Sequence, residues 1–215
     1  RCGSGVLRLV QKDDLQIGER NIFLGLNIPD YPHELSYYIN SGINIGEDFI
    51  SFIPFHAWGP DKGTRACPVC KYGWYHGILY FVGNKPNWDE IRIWLTYLEN
   101  ESKKREKYLK VYFVYGNEKN YNKSTREKEL ERLGKDLRLE KVALTFVPSF
   151  SDSESEIDVN KINAEFENTF IIYKRSRVID KYVDLKPNQY NFNILSNRLD
   201  QSVNEYFDLP NAGKD

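Results

Sequence analysis

Two apolar runs of strand length, Ile78-Leu-Tyr-Phe-Val82 and Leu109 to Tyr115, stand on either side of one helix-length segment. A strand, a helix and a second strand at this spacing form a parallel pair joined by a right-handed crossover. The first run is continuous rather than alternating, so a buried strand is expected, and Gly83, Asn84 and Pro86 break it. Asn87 follows, three residues before Glu90, in the pattern of a capping box. Ile91, Leu95 and Leu98 then repeat at helical spacing as far as Lys103-Lys-Arg105, a cationic cluster suited to a helix C-terminus.

The same grammar continues downstream. Ser124 and Glu127 predict a second helix start before Leu130 and Leu133, and Val142-Ala-Leu-Thr-Phe-Val147 predicts a strand. Ser149 to Glu156, rich in serine and acids, reads as a surface loop, and Val159, Ile162 and Phe166 as a short helix. Thr169 to Tyr173 and Val178 to Val183 flank Lys174-Arg-Ser-Arg177, the length and composition of a β-hairpin. A last amphipathic helix is expected from about Pro187, with Phe192, Leu195 and Leu199 inward. Upstream, Val6 to Val10 and Asn21 to Leu26 read as short strands and Asp30-Tyr-Pro-His33 as a turn. The expected organisation is an α/β sandwich with a central mixed sheet and helices on both faces. Residues 1–45 form an N-terminal extension packed on the core, 46–205 the main domain and 206–215 a polar tail.

Composition excludes several classes. Hydrophobic residues make up 40% of the 215, with 12 Phe, 15 Tyr and 4 Trp, ample material for one core. Thirty basic residues nearly cancel 31 acidic ones, so there is no global field to attract nucleic acid. No apolar stretch reaches the roughly 18 residues of a membrane-spanning helix. The sequence starts at Arg1 and contains no Met, from which a processed, extracytoplasmic protein is expected, periplasmic or secreted. Cys2 reads as a loose terminal thiol rather than a lipid-bearing one, because Arg1 is unlike the small residues of a lipoprotein cleavage site.

The chemically pointed feature is Cys67-Pro-Val-Cys70. Two intervening residues let the cysteines close a small disulfide ring, so redox cycling is geometrically open to them. Lys62, Arg65 and Lys71 are near in sequence and suited to stabilise a thiolate. By order along the chain, Cys67 is the expected nucleophile and Cys70 the resolving thiol. Trp58, Tyr72, Trp74 and Tyr75 are candidates for a peptide-contact surface, although aromatics at this density also build cores. Two other readings stay open. The pair can be a static disulfide that staples its loop, or half of a zinc site completed by His56 and His76. His33 has no ligand types near it and reads as structural. No nucleophile elbow, phosphate-binding loop or paired-histidine metalloprotease motif occurs. Asp152, Glu154 and Glu156 lack calcium-loop spacing and read as a solvated loop.

The run Ile78 to Leu199 resembles the thioredoxin-like superfamily. The strand at Val142 to Val147 makes it more similar to the redoxin or peroxiredoxin-like branch than to minimal thioredoxin. The segment Gly59-Pro-Asp-Lys-Gly-Thr-Arg-Ala-Cys-Pro-Val-Cys-Lys-Tyr-Gly73 is similar to one in poorly characterised bacterial thioredoxin-like proteins. The resemblance implies a thiol-disulfide oxidoreductase or redox-linked module acting on protein thiols or disulfides, with no cofactor. Two departures stand against direct transfer. Thioredoxins place the dithiol after the first core strand, where Gly83-Asn84-Lys85-Pro86 stands here, and the usual proline before the hairpin is replaced by Asn168-Thr169.

Overall fold

The structure, a computed structural model, describes residues 41–119 and 121–207. The strands expected at Val6 to Val10 and Asn21 to Leu26, the turn with His33, Cys2 and the part of the polar tail beyond Phe207 lie outside the described residues. The elements are β1 (Phe55–Trp58), α1 (Pro68–Tyr72), β2 (His76–Val82), α2 (Trp88–Lys104), β3 (Leu109–Gly116), α3 (Lys123–Asp136), β4 (Ala143–Val147), β5 (Thr169–Lys174), β6 (Arg177–Val183) and α4 (Gln189–Phe207). They build one six-stranded sheet in the order β1-β4-β3-β2-β5-β6. β2 pairs parallel with β3 and antiparallel with β5, so that Ile78 lies opposite Val111 on one side and Ile172 on the other. The parallel crossover, the added strand β4 and the hairpin β5–β6 all form as the sequence predicts.

All seven residues of β2 are buried, and their alternation divides the interior in two. Ile78, Tyr80 and Val82 join a core with Trp94, Leu95 and Leu98 of α2, Leu130 and Leu133 of α3, and Leu195 and Leu199 of α4. Leu79 and Phe81 face a second core with Phe49, Phe52, Val69, Phe150 and Ile162. The unequal layers follow from handedness. The chain steps from β2 to β3 to β4 in one direction, so two right-handed crossovers place α2 and α3 on the same face. Among the described residues the opposite face carries short α1, a 3₁₀ turn at Asp158–Asn160 and irregular chain.

That 3₁₀ turn stands where Val159, Ile162 and Phe166 predict a helix. It ends at Lys161, whose φ of 56° leaves helical conformation, and Val159 points outward at 43% exposure, so the three do not share a buried stripe. The start of α3 also differs from expectation. Asn122, two residues before Ser124, is the cap, its Oδ1 accepting the Thr125 N–H at 3.0 Å. At α2, Asn87 caps as predicted by accepting from Glu90 N–H, but the Glu90 carboxylate pairs with Lys186 instead of returning to the cap. A link invisible to periodicity joins α2 to β4: the Glu99 carboxylate accepts the backbone N–H groups of Glu140, Lys141 and Val142 at 3.0–3.2 Å. Both sheet margins are irregular. β1 has four residues with a register shift between His56 and Trp58. Beside β6, Gly46 N–H donates to Val178 O, Val178 N–H to Glu47 O, and Phe49 N–H to Ser176 O.

Gly77 is where the sheet tolerates no side chain. A β-carbon there would lie 2.0 Å from the ring of fully buried Tyr173. Gly77→Ala is expected to lower the unfolding free energy by at least about 2 kcal/mol, as overpacking of a dense core does, measured by chemical denaturation against wild type.

Candidate functional site

The dithiol is delivered by the turn after β1. Gly59, at φ 106°, opens a reversal in which His56 N–H donates to Thr64 O at 2.9 Å and Gly63 N–H to His56 O at 2.8 Å. The returning chain bridges Phe55 with Arg65 and brings Cys67 to the start of α1. Pro68 takes the first helical position, where its missing N–H costs nothing. Cys67 is the N-cap, and its Sγ accepts the Cys70 N–H at 3.0 Å. The two Cα atoms are 5.3 Å apart, inside the range a disulfide spans, and the sulfurs lie at bonding distance. Cys67 is half-buried and packs against the second core, whereas Cys70 is exposed. Gly73 closes the helix so tightly that a β-carbon would meet Val69 O at 2.3 Å, and its own carbonyl accepts from Ser176 N–H in the β5–β6 turn.

The cations expected to support a thiolate are engaged elsewhere. Lys62 pairs with Glu131, Lys71 with Asp61, and Arg65 donates to the carbonyls of Ile53 and Glu154. The local support for sulfur charge is therefore the Cys70 amide. Among the aromatics, Tyr72, Trp74 and Tyr75 surround α1, but Trp58 does not join them. Its Nε1–H donates to Leu139 O, and its ring covers Gly134 of α3.

The two-Cys, two-His reading is not assembled. His76 starts β2 on the face of the three long helices, stacked with Tyr108, its Nε2 3.0 Å from Ser202 Oγ. The sheet separates it from Cys67, on the opposite face. His56 shares the face of the dithiol, but its Nε2 is taken up by Ala66 O at 2.9 Å. Among the described residues no three His, Cys, Asp or Glu side chains form a group able to hold a metal. Both histidines are fully buried with Nδ1 unbonded, and burial pushes both down, His76 to about 3.

The dithiol also occupies the end of the sheet opposite to the thioredoxin position. α1 precedes β2 and lies beside the N-terminal ends of the parallel strands, while Gly83 to Pro86 follows the C-terminal end of β2. There a β-carbon on Gly83 would meet the Ala164 backbone at 2.6 Å, Asn84 N–H donates to Ala164 O, and Asn84 Nδ2 donates to Glu165. Before β5, Asn168 exchanges side-chain hydrogen bonds with the backbone of Leu185.

A thiol:disulfide interchange protein DsbE, so assigned from Chlorobium tepidum, matches at 13% identity and a TM-score of 0.53 over 74% of this chain and 97% of that one. Thiol peroxidase from Chromobacterium violaceum matches at 11% identity and 0.53, over 77% and 91%. An uncharacterized conserved protein from Geobacillus kaustophilus matches at 13% and 0.52, over 70% and 76%. The chain has a thioredoxin-like fold. No protein-family model matches the sequence, and no curated protein matches it either. At these identities the likeness carries the architecture alone, so the site rests on its own residues.

Sequence reasoning missed Lys110, which reaches the aromatics beside α1 from β3, 40 positions beyond Cys70. Only the register of β2 against β3, which sets Lys110 opposite Gly77, reveals that proximity.

The buried histidines give a pH dependence with a definite sign. A histidine whose folded-state pKa lies below its unfolded value, near 6.5, stabilises the fold fully above that value. This stability is lost as pH falls toward the folded pKa, because the unfolded chain takes the proton first. For His76 the window runs from about 6.5 down to about 3. Unfolding free energy measured from pH 7 to 4 is expected to fall less steeply in His76→Gln than in wild type, by roughly 1 kcal/mol per pH unit.

Proposed function

We propose that the protein is a thiol-disulfide oxidoreductase or redox-linked module in which Cys67 and Cys70 exchange electrons with protein thiols and disulfides. The observation that carries this reading is the pairing of one exposed cysteine, Cys70, with one half-buried cysteine, Cys67, whose Sγ already accepts an amide N–H. Nothing comparable is available at Gly83 to Pro86, which holds no cysteine. The exposure reverses the roles suggested by order along the chain. A partner thiolate attacks Cys70 Sγ, the Cys67–Cys70 bond breaks, and Cys67 leaves as a thiolate held by the Cys70 N–H. A second partner thiolate then attacks its own sulfur in the mixed disulfide and expels Cys70. The partner dithiol loses two electrons and becomes a disulfide, the pair gains them, and the two protons pass to the released thiolates. The amide matters because the leaving thiol's acidity helps set the rate. A pair that persists oxidised suits an extracytoplasmic compartment.

The reduction potential of the pair and turnover with a disulfide substrate such as insulin test the reading together. Turnover is expected with wild type and is lost in both Cys67→Ser and Cys70→Ser. Cys67→Ser, which keeps the exposed cysteine, is expected to accumulate a mixed disulfide when its Cys70 thiolate attacks a disulfide-linked peptide and releases one peptide thiol, and Cys70→Ser to accumulate far less. A potential below about −300 mV with no turnover would instead mark a static staple.

A further inference from the structure

The turn that joins α1 to β2 leaves two large aromatics in solvent directly after the dithiol. Trp74 is 75% exposed and Tyr75 39%. Such residues usually bury their bodies, and when they stand out as a group they mark contact surfaces. These two have order around them. The rings of Tyr72 and Tyr75 meet edge to face at 6.0 Å, and Lys110 Nζ stands over both, 5.5 Å from Tyr72 and 5.1 Å from Tyr75. Lys71 Nζ lies 5.2 Å from the Tyr72 ring on the strength of its pair with Asp61. Lys110 has no such carboxylate among the described residues, and its charge is met by ring faces alone. The shelf is thus aromatic and cationic, although the whole chain is nearly neutral at −1.

Resting on the reading of Cys67–Cys70 as an exchanging pair, we propose that the shelf of Tyr72, Trp74, Tyr75 and Lys110 selects partner segments that carry acidic residues beside the reacting cysteine. Trp74 and Tyr75 stack against the segment's backbone and apolar groups, while Lys110, partnered by aromatic faces that cation–π attraction satisfies only in part, receives an Asp or Glu of the partner. Approach by a basic segment leaves two like charges in contact, and the same group therefore excludes as well as attracts.

The test compares reduction of the oxidised full-length protein by three thiols: a cysteine peptide flanked by glutamates, the same peptide flanked by lysines, and dithiothreitol, which has no side chains to bind. The glutamate peptide is expected to react on the order of tenfold faster than the lysine peptide at low salt, with the gap closing at high salt. Lys110→Glu is expected to abolish or invert that preference, and Trp74→Ala to slow both peptides, while neither changes the dithiothreitol rate. Equal rates for the two peptides overturn the proposal, as does a preference that survives Lys110→Glu. If the preference is present and Trp74→Ala leaves both peptide rates unchanged, the aromatic part of the shelf is refuted. Failure of dithiothreitol itself to reduce the pair would refute the underlying redox reading, an outcome separate from the other three.

Discussion

The burial of β2 on every side is the constraint from which the rest of the molecule follows. A strand with hydrogen-bonded neighbours on both margins and a core on both faces has no polar position to spare, and apart from the hydroxyl of Tyr80 the seven residues His76 to Val82 contain one polar side chain. That side chain, His76, stays neutral and hydrogen-bonded to Ser202, whose own hydroxyl donates to the carbonyl of Arg198. Nε2 therefore carries the proton. Chain handedness then places α2 and α3 on one face, where α4 joins them, and among the described residues the other face is left to shorter pieces of chain, among them the helix that holds the cysteines.

This division explains how a thioredoxin-like scaffold can carry a dithiol away from its usual place. The C-terminal end of β2 is closed by the contact of Gly83 with Ala164 and by the hydrogen bonds of Asn84. At the N-terminal end the thinner layer leaves room for α1 to sit between the second core and solvent, with Val69 buried and Cys70 exposed. A five-residue helix supplies little stability by itself. Its position is set by the β1 reversal before it and by the Ser176 to Gly73 hydrogen bond after it.

The architecture was legible in the sequence because its elements announce themselves locally. Apolar runs mark β2 and, interrupted at Lys110, β3, and Asn87 with the helical spacing of Ile91, Leu95 and Leu98 marks a capped helix. Reading failed where several local signals competed: Asn122 and Ser124 both qualify as caps, and the apolar residues at 159, 162 and 166 share a spacing but not a face. For the site, the cysteine spacing and the absence of a thiol at the usual position could be read directly. Which sulfur faces solvent could not, since it depends on how α1 lies on a core contributed by residues from Ile43 to Val178. The proximity of His56 and His76 to the cysteines in sequence misled for a related reason. Parity along a strand sends His76 through to the other side of the sheet, and no count of intervening residues reveals that.

The irregular margins of the sheet bear on how the protein behaves in a crowd. An open strand edge offers unpaired N–H and C=O groups to any extended chain that drifts by, which is how sheets grow into aggregates. Here one margin ends in a four-residue strand with a register shift, too short and too bent to template another. At the other, the segment from Gly46 to Phe49 occupies backbone groups of Ser176 and Val178. A protein rich in aromatic and β-branched residues is thereby kept from adding strands laterally, and whatever self-association it shows should run through side chains rather than through extension of its sheet.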